Sequence, residues 1–290
     1  MKFAIVANPL KYEVRGVLEN TIKWAEENEV SLCIHQLTFE ETHIEGSDIL
    51  EFTASDEESI KKADLVLVMG GDGTILYTAR ISKGIGKPML GINSGRLGFM
   101  ANTQNEDLVQ ALNNLKSGNY TLDKRAYLKA TDGTGNEYYA LNEFLITRKD
   151  STTMVNISAE YDNTLINTYW ADGLIVASPT GSTAYSLASG GPIVVPGTEV
   201  FLVTPINPHT LTTRPLILNA NHPLKIIAEK QQSEMLFSYD GQVHEISELP
   251  FEVEIVLSSL TFDLIHLPGQ HYFETLRKKL MWGMDSRREH

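Results

Sequence analysis

The feature that most limits the fold is a run of five apolar residues, Leu65–Met69, that leads directly into the loop Gly70–Thr74. The run has no polar alternation, so a strand formed by it would bury both faces, as strands of parallel sheets do. Thr74–Arg80 has helical character, and Pro88–Ile92 is a second short apolar run. Strand, helix and strand in this order predict a βαβ unit and therefore a parallel sheet.

Other patterns extend this prediction toward the N-terminus and along the chain. Phe3–Ala7 ends in an Asn-Pro turn signal and predicts a first strand, and Val17–Ala25 has apolar residues at helical spacing. Leu32, Ile34 and Leu37 predict a second strand, which makes Leu65–Met69 the third. Leucines spaced over Leu108–Leu115 predict a further helix.

From about Tyr120 the pattern becomes that of a β protein. Thr, Val, Ile and Tyr become frequent, turn signals recur roughly every 8–12 residues, and Asp132-Gly133, Asp162-Asn163 and Asp240-Gly241 are hairpin signals. The predicted strands are Tyr127–Thr131, Glu137–Leu141, Asn156–Tyr161, Leu165–Trp170, Leu174–Ala177, Leu224–Ala228 and Glu252–Ser258.

These patterns predict two domains. A Rossmann-like α/β domain with a parallel sheet comprises residues 1–120 plus about 265–290, because His271–Trp282 has helical spacing and is expected to return to that domain. A mostly β, sandwich-like domain comprises residues 121–264.

Charge and composition exclude several classes of function. The 24 basic and 37 acidic side chains give a net charge of −13, which does not favour binding to nucleic acid. No apolar run approaches the roughly 18 residues of a membrane helix, and the apolar N-terminal stretch is too short for a signal peptide. Cys33, the single cysteine, cannot form an internal disulfide. We therefore expect a cytoplasmic protein that binds neither nucleic acid nor membrane, with Cys33 buried as a small apolar side chain.

The loop Gly70–Thr74 has the composition of a phosphate site. Glycines allow a sharp turn and a close approach of a ligand, and the following helix would direct its positive end toward the loop. Asp72 would then accept a proton from a hydroxyl that attacks a phosphoryl group. From these residues alone, the alternative interpretation of Asp72 is a turn or helix-cap residue. The chain has no Gly-x-x-x-x-Gly-Lys-Ser/Thr loop and no clear Gly-x-Gly-x-x-Gly motif.

A second polar segment, Asp172–Pro192, continues a predicted strand into a turn. Five Ser and Thr hydroxyl groups between Ser178 and Ser186 offer donors and acceptors for a polar ligand, and Tyr185 offers a flat surface for a base. A capped structural turn is the alternative interpretation of this segment.

Both segments resemble known families. Gly70–Thr74 resembles the signature shared by NAD kinases, diacylglycerol and sphingosine kinases and, with Ser for Thr, phosphofructokinases. Asp172–Pro192 resembles the NAD kinase signature, which the other two families do not share. The resemblance to NAD kinases covers about residues 63 to 245 and includes further stretches, namely Asn93–Phe99, Asn142-Glu143, Thr204–Leu216 and Asp240–Gln242.

The resemblance implies a role for each matching residue. Asp72 would accept the proton of the 2′-hydroxyl of the adenosine ribose of NAD, and Gly73 would leave room for the dinucleotide. Asn142 and Glu143 would bind the adenine and ribose, Asp172 would contact the nicotinamide end, and Gln242 would close the pocket. The residues implied to line the adenine side are Thr180, Thr183, Ala184, Tyr185, Ser186, Leu187 and Ala188.

The sequence departs from the family at two positions. Ala188-Ser189 reverses the usual Ser-Ala pair, so a hydroxyl contact at position 188 is lost. Trp170 stands where many members have a basic residue, which removes an ionic contact to ligand phosphates.

The resemblance implies transfer of the γ-phosphoryl group of ATP to NAD, giving NADP. A divalent cation such as Mg²⁺, held mainly by phosphate oxygens, would supply positive charge; the eight histidines show no metal-site spacing, and no protein ligands are assigned. The resemblance also implies a homodimer or homotetramer. The alternatives are a lipid kinase with the same loop and a module that binds NAD without chemistry. The choice between ATP and polyphosphate, the use of NADH and feedback by NADP or NADPH stay open.

Overall fold

The computed structural model describes residues 1–93, 95, 97–149, 153–229, 231 and 233–282. Contacts divide the chain into two compact units. Unit 1 consists of Met1–Lys124 and the segment from Phe262, and unit 2 consists of Arg125–Thr261.

The helices and strands alternate over the first part of the chain. In chain order they are β1 Lys2–Ala7, α1 Tyr12–Asn28, β2 Ser31–His35, α2 Gln36–Thr42, β3 Leu50–Thr53, α3 Asp56–Lys62, β4 Leu65–Gly70, α4 Asp72–Ile81, β5 Met89–Asn93 and α5 Leu108–Ser117. The later elements are β6 Thr121–Asp132, β7 Glu137–Ala140, β8 Glu143–Arg148, β9 Val155–Tyr161, β10 Thr164–Ala171, β11 Gly173–Ala177, α6 Tyr185–Ala188, β12 Val200–Ile206, β13 Leu216–Asn219, β14 Leu224–Ala228, β15 Met235–Tyr239, β16 Gln242–Ile246, β17 Phe251–His266 and α7 Tyr272–Leu280.

Unit 1 is built on a parallel sheet with the strand order β3-β2-β1-β4-β5, continued by the end of β17. Every residue of β4 and β5 is buried, as the unbroken apolar runs predict. In the sheet, β2 and β3 lie on one side of β1, and β4 and β5 lie on its other side. This arrangement creates a topological switch point between β1 and β4, where ligands of such sheets bind at the carboxyl ends of the strands.

The prediction for the segment after β2 was partly wrong. The second strand ends at His35, and Leu37 lies in α2 with 61% of its surface exposed. Thr38, Phe39 and Thr42 are buried at helical spacing, so this turn of helix packs through them and not through Leu37. The short strand β3 was not predicted, which makes Leu65–Met69 part of the fourth strand of the unit.

Unit 2 is a β structure with two sheets. One has the antiparallel order β13-β12-β11-β8-β15-β16, and the other joins β10, β9, β14 and the first part of β17, with the hairpin β6-β7. Side chains of both sheets share one apolar core, which contains Phe144, Val176, Phe237, Ile157 and Val253. This arrangement is sandwich-like.

Two of the three hairpin signals are confirmed as two-residue turns by backbone geometry, while Asp132 and Gly133 begin a longer connection from β6 to β7. Asp162 and Asn163 connect β9 to β10 with φ angles of 51° and 57°, and Asp240 and Gly241 connect β15 to β16 with φ angles of 44° and 82°. Both pairs have the left-handed conformations that two-residue hairpin turns require. The sequence patterns did not predict β8, β12, β13, β15 or β16.

The C-terminal segment belongs to unit 1, as predicted. Leu264 of β17 pairs with Met89 of β5, and Leu276 of α7 is buried. The predicted fold class, an α/β domain and a mostly β domain with a returning helix, is confirmed. Cys33 is also buried in β2, as expected, and burial raises the pKa of its thiol to about 11. Among the described residues, no helix combines the length and the apolar character of a membrane span.

Candidate active site

The loop after β4 places Asp72 at the first position of α4. Gly71 precedes the helix, and its carbonyl accepts the N–H groups of Thr74 and Ile75. A side chain at Gly70 would overlap Thr74, so the turn closes only around a glycine. The N–H groups at the start of α4 have no partner within the helix and, with the positive end of its dipole, suit an anion.

A second loop of unit 1 holds the Asp72 carboxylate. Oδ2 accepts the Phe99 N–H at 2.9 Å, and Oδ1 accepts those of Met100 and Ala101 at 3.0 and 3.1 Å. Gly98 packs so closely that a side chain there would overlap the carboxylate. Since an ionised carboxylate has about four acceptor positions, one position on Oδ2 remains for another donor.

The loop after β1 lies beside the Asp72 loop, at the topological switch point. The Asn8 N–H donates to the Met69 carbonyl at 3.1 Å, and a Cβ built on Gly71 would lie 3.2 Å from Lys11 Nζ. No ion pair or side-chain hydrogen bond joins this ammonium group to another described residue. Lys11 was missed in the sequence, where the only signal was its position just after the Asn-Pro turn.

Another polar group of unit 1 stands at the end of β5, where Asn93 pairs with Gly70 of β4. Asn93 Oδ1 accepts the Gly95 N–H at 2.9 Å, while its buried Nδ2 has no partner among the residues that the structure describes. Ser94 and Arg96 of the predicted glycine-rich turn lie outside the described residues. The C-terminal end of β5 thus adds a buried amide donor to unit 1.

In unit 2, Asp240 fixes the backbone where β8 begins. Its carboxylate accepts the N–H groups of Leu141, Asn142 and Glu143 at 2.5, 2.9 and 3.2 Å. Asn142 Oδ1 and Glu143 Oε2 are buried, and neither has a partner within the described ranges. Because buried polar atoms are nearly always paired, these two atoms mark a place for a ligand. The Asp-Gly-Gln motif had indicated this hairpin, but a role for Asp240 itself was not predicted.

The protonation of Glu143 follows from its surroundings. Burial, and after it the negative charge of Asp240, raise the pKa of Glu143 from 4.5 to about 8. Burial also raises the pKa of Asp240, but three backbone N–H groups stabilise its ionised form. Glu143 lacks such donors among the described residues, so the proton of this pair resides on Glu143 at neutral pH. A protonated Glu143 can donate a hydrogen bond as well as accept one.

The hydroxyl-rich segment folds as a turn, a short 3₁₀ segment Gly181–Thr183 and then α6. All five of its Ser and Thr hydroxyl groups have hydrogen-bond partners within unit 2. Ser178 Oγ donates to the Leu141 carbonyl at 2.5 Å, and Ser182 Oγ donates to the Pro179 carbonyl at 2.6 Å. Ser186 Oγ lies 2.9 Å from Thr204 Oγ1. The predicted ligand contact of Ser186 would share its hydroxyl with Thr204 or use its backbone.

The same segment packs against the start of β8. A side chain at Gly181 would overlap the Asn142 backbone, whose carbonyl accepts the Ser178 N–H at 2.8 Å. Thr180 is buried and lies 3.4 Å from Nη1 of Arg125, which is only 4% exposed and was not predicted to be part of a site. The predicted adenine-side residues and the pair Asn142-Glu143 therefore come together within unit 2. In this segment Thr183 is half-buried and Tyr185 is exposed.

Asp172 lies at the other end of β11 from this segment. The strand pairs Gly173 with Thr147 and Ala177 with Glu143, which places Asp172 about five residues, roughly 16 Å, from Glu143. Its carboxylate pairs with Arg148 Nη2 at 2.9 Å and accepts Asn207 Nδ2 at 3.0 Å. Asp172 therefore does not join the Asn142-Glu143 group within unit 2.

Two further predicted positions lie on the surface of unit 2. Gln242, predicted to close the pocket, is exposed at the start of β16 and pairs with Tyr239. Trp170, which replaces the family's basic residue, is about half exposed, and its ring lies 4.3 Å from that of His209.

The predicted site residues thus form a group in unit 1, Asp72 and Gly73, and a group in unit 2 around Asn142 and Glu143. Proximity of Asp72 to Thr183, on which the predicted chemistry depends, stays a prediction. In the described ranges, no three His, Cys, Asp or Glu side chains converge as a metal site. Asp72 offers one remaining acceptor position, which suits a cation held mainly by phosphates and water.

Comparison with known proteins identifies the family over the whole chain. The model of the ATP-NAD kinase N-terminal domain matches residues 3–120, and that of the ATP-NAD kinase C-terminal domain matches residues 141–267. The NAD kinase of Cytophaga hutchinsonii is 35% identical over 99% of this chain and 100% of its own length. The NAD kinase of Bacteroides fragilis has the same identity and coverage.

Solved structures support the fold. Yeast NADH kinase complexed with NADH superimposes with a TM-score of 0.88 at 23% identity, covering 98% of this chain and 89% of the yeast chain. An NAD kinase from Archaeoglobus fulgidus in complex with ATP gives a TM-score of 0.74 at 23% identity, covering 97% and 99%. Both parts of the chain match models of ATP-NAD kinase domains. The chain therefore belongs to the ATP-NAD kinase family, whose members are phosphotransferases that act on an alcohol group.

Proposed function

We propose that this chain transfers the γ-phosphoryl group of ATP to the 2′-hydroxyl of the adenosine ribose of NAD, giving NADP and ADP. Asp72 accepts the hydroxyl proton while the ribose oxygen bonds to the γ-phosphorus, and the bond from that phosphorus to the bridging oxygen of ADP breaks. The observation that carries the proposal is the Asp72 carboxylate, fixed by three backbone N–H groups with one position on Oδ2 left for a hydroxyl. The relatives named above support NAD as acceptor and ATP as donor.

The residues of unit 2 would bind the acceptor. Asn142 Oδ1 and Glu143 Oε2, both buried without partners among the described residues, would take the adenine and ribose groups of NAD. Gly73 would give the dinucleotide room beside Asp72, and the exposed ring of Tyr185 would stack on the base. The positions proposed to line the adenine side are Thr180, Thr183, Ala184, Tyr185, Ser186, Leu187 and Ala188, with Gln242 closing the pocket.

Positive charge for the transferred phosphoryl group would come from three sources. The N-terminus of α4 and the Lys11 ammonium would bind phosphate oxygens directly. A divalent cation such as Mg²⁺, bound mainly by those phosphates, would neutralise the charge that develops on them. Removal of divalent cations with a chelator is the test of that third source.

We further propose that the protein works in the cytoplasm as a homodimer or homotetramer. Because Asp172 lies far along β11 from Glu143, its proposed contact with the nicotinamide end needs an extended dinucleotide or Asp172 of a second copy. Light scattering after size-exclusion chromatography measures the assembly, and a monomer at working concentration would contradict it.

The reaction is tested by incubating the protein with ATP, Mg²⁺ and NAD and detecting NADP with an NADP-specific dehydrogenase. We expect NADP to accumulate in proportion to enzyme and time. Binding of NAD without NADP formation would support a sensing module. Phosphorylation of a lipid diol without NAD binding would support a lipid kinase.

Asp72→Asn tests the proposed base. We expect turnover to fall by ~10²–10⁴ while NAD affinity, measured by calorimetry, stays within a few fold, because only proton acceptance is lost. The new amide nitrogen would face an N–H donor of the Phe99–Ala101 loop, so thermal unfolding is compared as well. The control is Asp64→Asn, which removes an exposed carboxylate of the same unit. Turnover equal to that of the native protein would reject Asp72 as the base.

A further inference from the structure

A cavity of about 490 Å³ opens in unit 1 at the carboxyl ends of β1 and β2. Its lining includes Gly73 and Thr74 of the first turn of α4, together with His35, Asp56 and Tyr77. The volume is within the range of about 300–1,000 Å³ of small-molecule sites. The cavity also adjoins the topological switch point between β1 and β4, where sheets of this kind bind ligands.

Asp56 is the unusual group of this cavity. It is 7% exposed, and its Oδ2 accepts the Tyr77 hydroxyl at 3.0 Å. Its Oδ1 is buried and has no partner within the described part of the chain. Burial raises the pKa of this carboxyl, with Tyr77 as the hydrogen-bond donor that opposes the rise. Since buried polar atoms are nearly always paired, Oδ1 indicates that a donor reaches Asp56 from the cavity.

The two ends of the cavity favour different chemical groups. Asp56 and the neighbouring Glu41 repel phosphate and accept hydrogen bonds, so hydroxyl or amino groups suit that end. The α4 N-terminus attracts phosphate, and the Lys11 ammonium lies above Gly71 at the start of that helix. One class of molecule that carries donor groups at one end and phosphates at the other is a nucleoside triphosphate.

We propose that this cavity holds the nucleoside of the phosphoryl donor, and that Asp56, positioned by Tyr77, accepts a hydrogen bond from a hydroxyl or amino group of that nucleoside. The assignment rests on the proposed kinase function and goes beyond it. With this contact the enzyme would select a nucleoside triphosphate over inorganic polyphosphate, because polyphosphate has no hydroxyl or amino group that could donate a hydrogen bond to Asp56.

The test measures equilibrium binding in the absence of NAD, using ATP and inorganic tripolyphosphate as probes. Asp56→Ala is expected to raise the Kd of ATP about tenfold or more and that of tripolyphosphate less than twofold, because only the nucleoside contacts Asp56. The isosteric Asp56→Asn, which preserves the packing, is expected to raise the Kd of ATP by about threefold. The matched control is Glu57→Gln, an equal charge change in the same turn of α3, where Glu57 is exposed and paired with Lys61.

Nucleotide analogues identify the group that Asp56 contacts. One arm uses 2′-deoxy-ATP, which lacks a ribose hydroxyl, and the other uses purine riboside triphosphate, which lacks the amino group of the base. The analogue missing the contacted group should bind the native protein about tenfold more weakly than ATP and lose nothing further in Asp56→Ala.

Two results would overturn the assignment. One is an equal loss of ATP and tripolyphosphate binding in Asp56→Ala, which would indicate a structural role for the carboxyl. The other is unchanged ATP binding in both Asp56 variants. Failure of the proposed function gives a different result, namely the predicted binding pattern with no NADP formed by the native protein from any donor.

Discussion

The Asp72 carboxylate and the missing side chain of Gly98 depend on each other. Three N–H groups of the Phe99–Ala101 loop can converge on the carboxylate because Gly98 leaves that space free. The loop therefore fixes the direction in which the remaining lone pair of Oδ2 is presented. Preorganisation of this kind matters because the rate of an enzymatic reaction falls steeply when a catalytic group is displaced by as little as about 1 Å.

Gly98→Ala is the residue-scale test of this contact. The new methyl group would displace the Asp72 carboxylate, and we expect turnover to fall about 10- to 100-fold with little change in NAD affinity. Gly95→Ala is the matched control on the same turn, because a Cβ there meets no atom within 4 Å. Equal turnover in the two variants would show that the loop does not position Asp72.

At this scale the sequence identified some residues and missed others. The position of Asp72 at a glycine turn before a helix was predictable because its neighbours in the chain define it, whereas its catalytic role stays a prediction. The positions of Lys11 and Arg125 were not predictable, because the residues near them, Gly71 and Thr180, are distant in the sequence. Asp56 was missed for the same reason, since its partner Tyr77 lies 21 residues further along.

At the scale of elements, the hairpin β15-β16 supports the start of β8. Its Asp240 accepts three consecutive N–H groups at the start of β8, which leaves Glu143 buried beside a second carboxyl group. The proton of this pair is held more tightly by Glu143 in the folded chain than in the unfolded chain. The stability of unit 2 is therefore linked to pH through this contact.

Glu143→Gln tests that link. A folded-state pKa of about 8 against 4.5 means that the stabilisation is complete below pH 4.5 and is lost as pH rises through about 8. Since Gln stays neutral, the variant should gain stability relative to the native protein across this window and keep a constant advantage above it. Urea unfolding midpoints at intervals between pH 5 and 9 measure the difference. A difference that does not vary with pH would contradict the protonated state of Glu143.

Elements were predicted well where the pattern was long or unbroken. β4 and β5 follow from their apolar runs, and α1 and α5 follow from helical spacing. The elements β3 and α2 were not predicted because they are short and only part of their residues are buried. The strands β8, β12 and β15 were not predicted because their buried residues pack against a second sheet that is distant in the sequence, and a single segment does not show that contact.

At the scale of the molecule, the chain leaves unit 1 after β5 and α5 and returns to it through the end of β17. Leu264 pairs with Met89, and Ile265 and Leu267 belong to the same apolar core as Phe3 and Leu90. The fold class could be predicted because each half has its own periodicity. The predicted domain boundaries near 120 and 265 stay a prediction, since compactness alone does not establish independent folding.

Leu264→Ala tests whether the returning segment stabilises unit 1. Removing this buried side chain should lower the free energy of unfolding by about 2–4 kcal/mol, because it leaves a cavity in the core. Leu165→Ala, at a leucine that is 57% exposed in β10, is the control and should cost less than about 0.5 kcal/mol. Hydrogen exchange should locate the loss in β1, β4 and β5. A loss confined to unit 2 would contradict the division of the chain.

The return of β17 to unit 1 also predicts the order in which the two units fold during synthesis on the ribosome. The sheet of unit 1 lacks its last strand, and the helix α7 beside it, until residues 262–280 have been synthesised. Unit 2, whose residues are continuous, can bury its own core earlier. The second half of the polypeptide is thus expected to become protease-resistant before the first, the reverse of the usual N-terminal-first sequence.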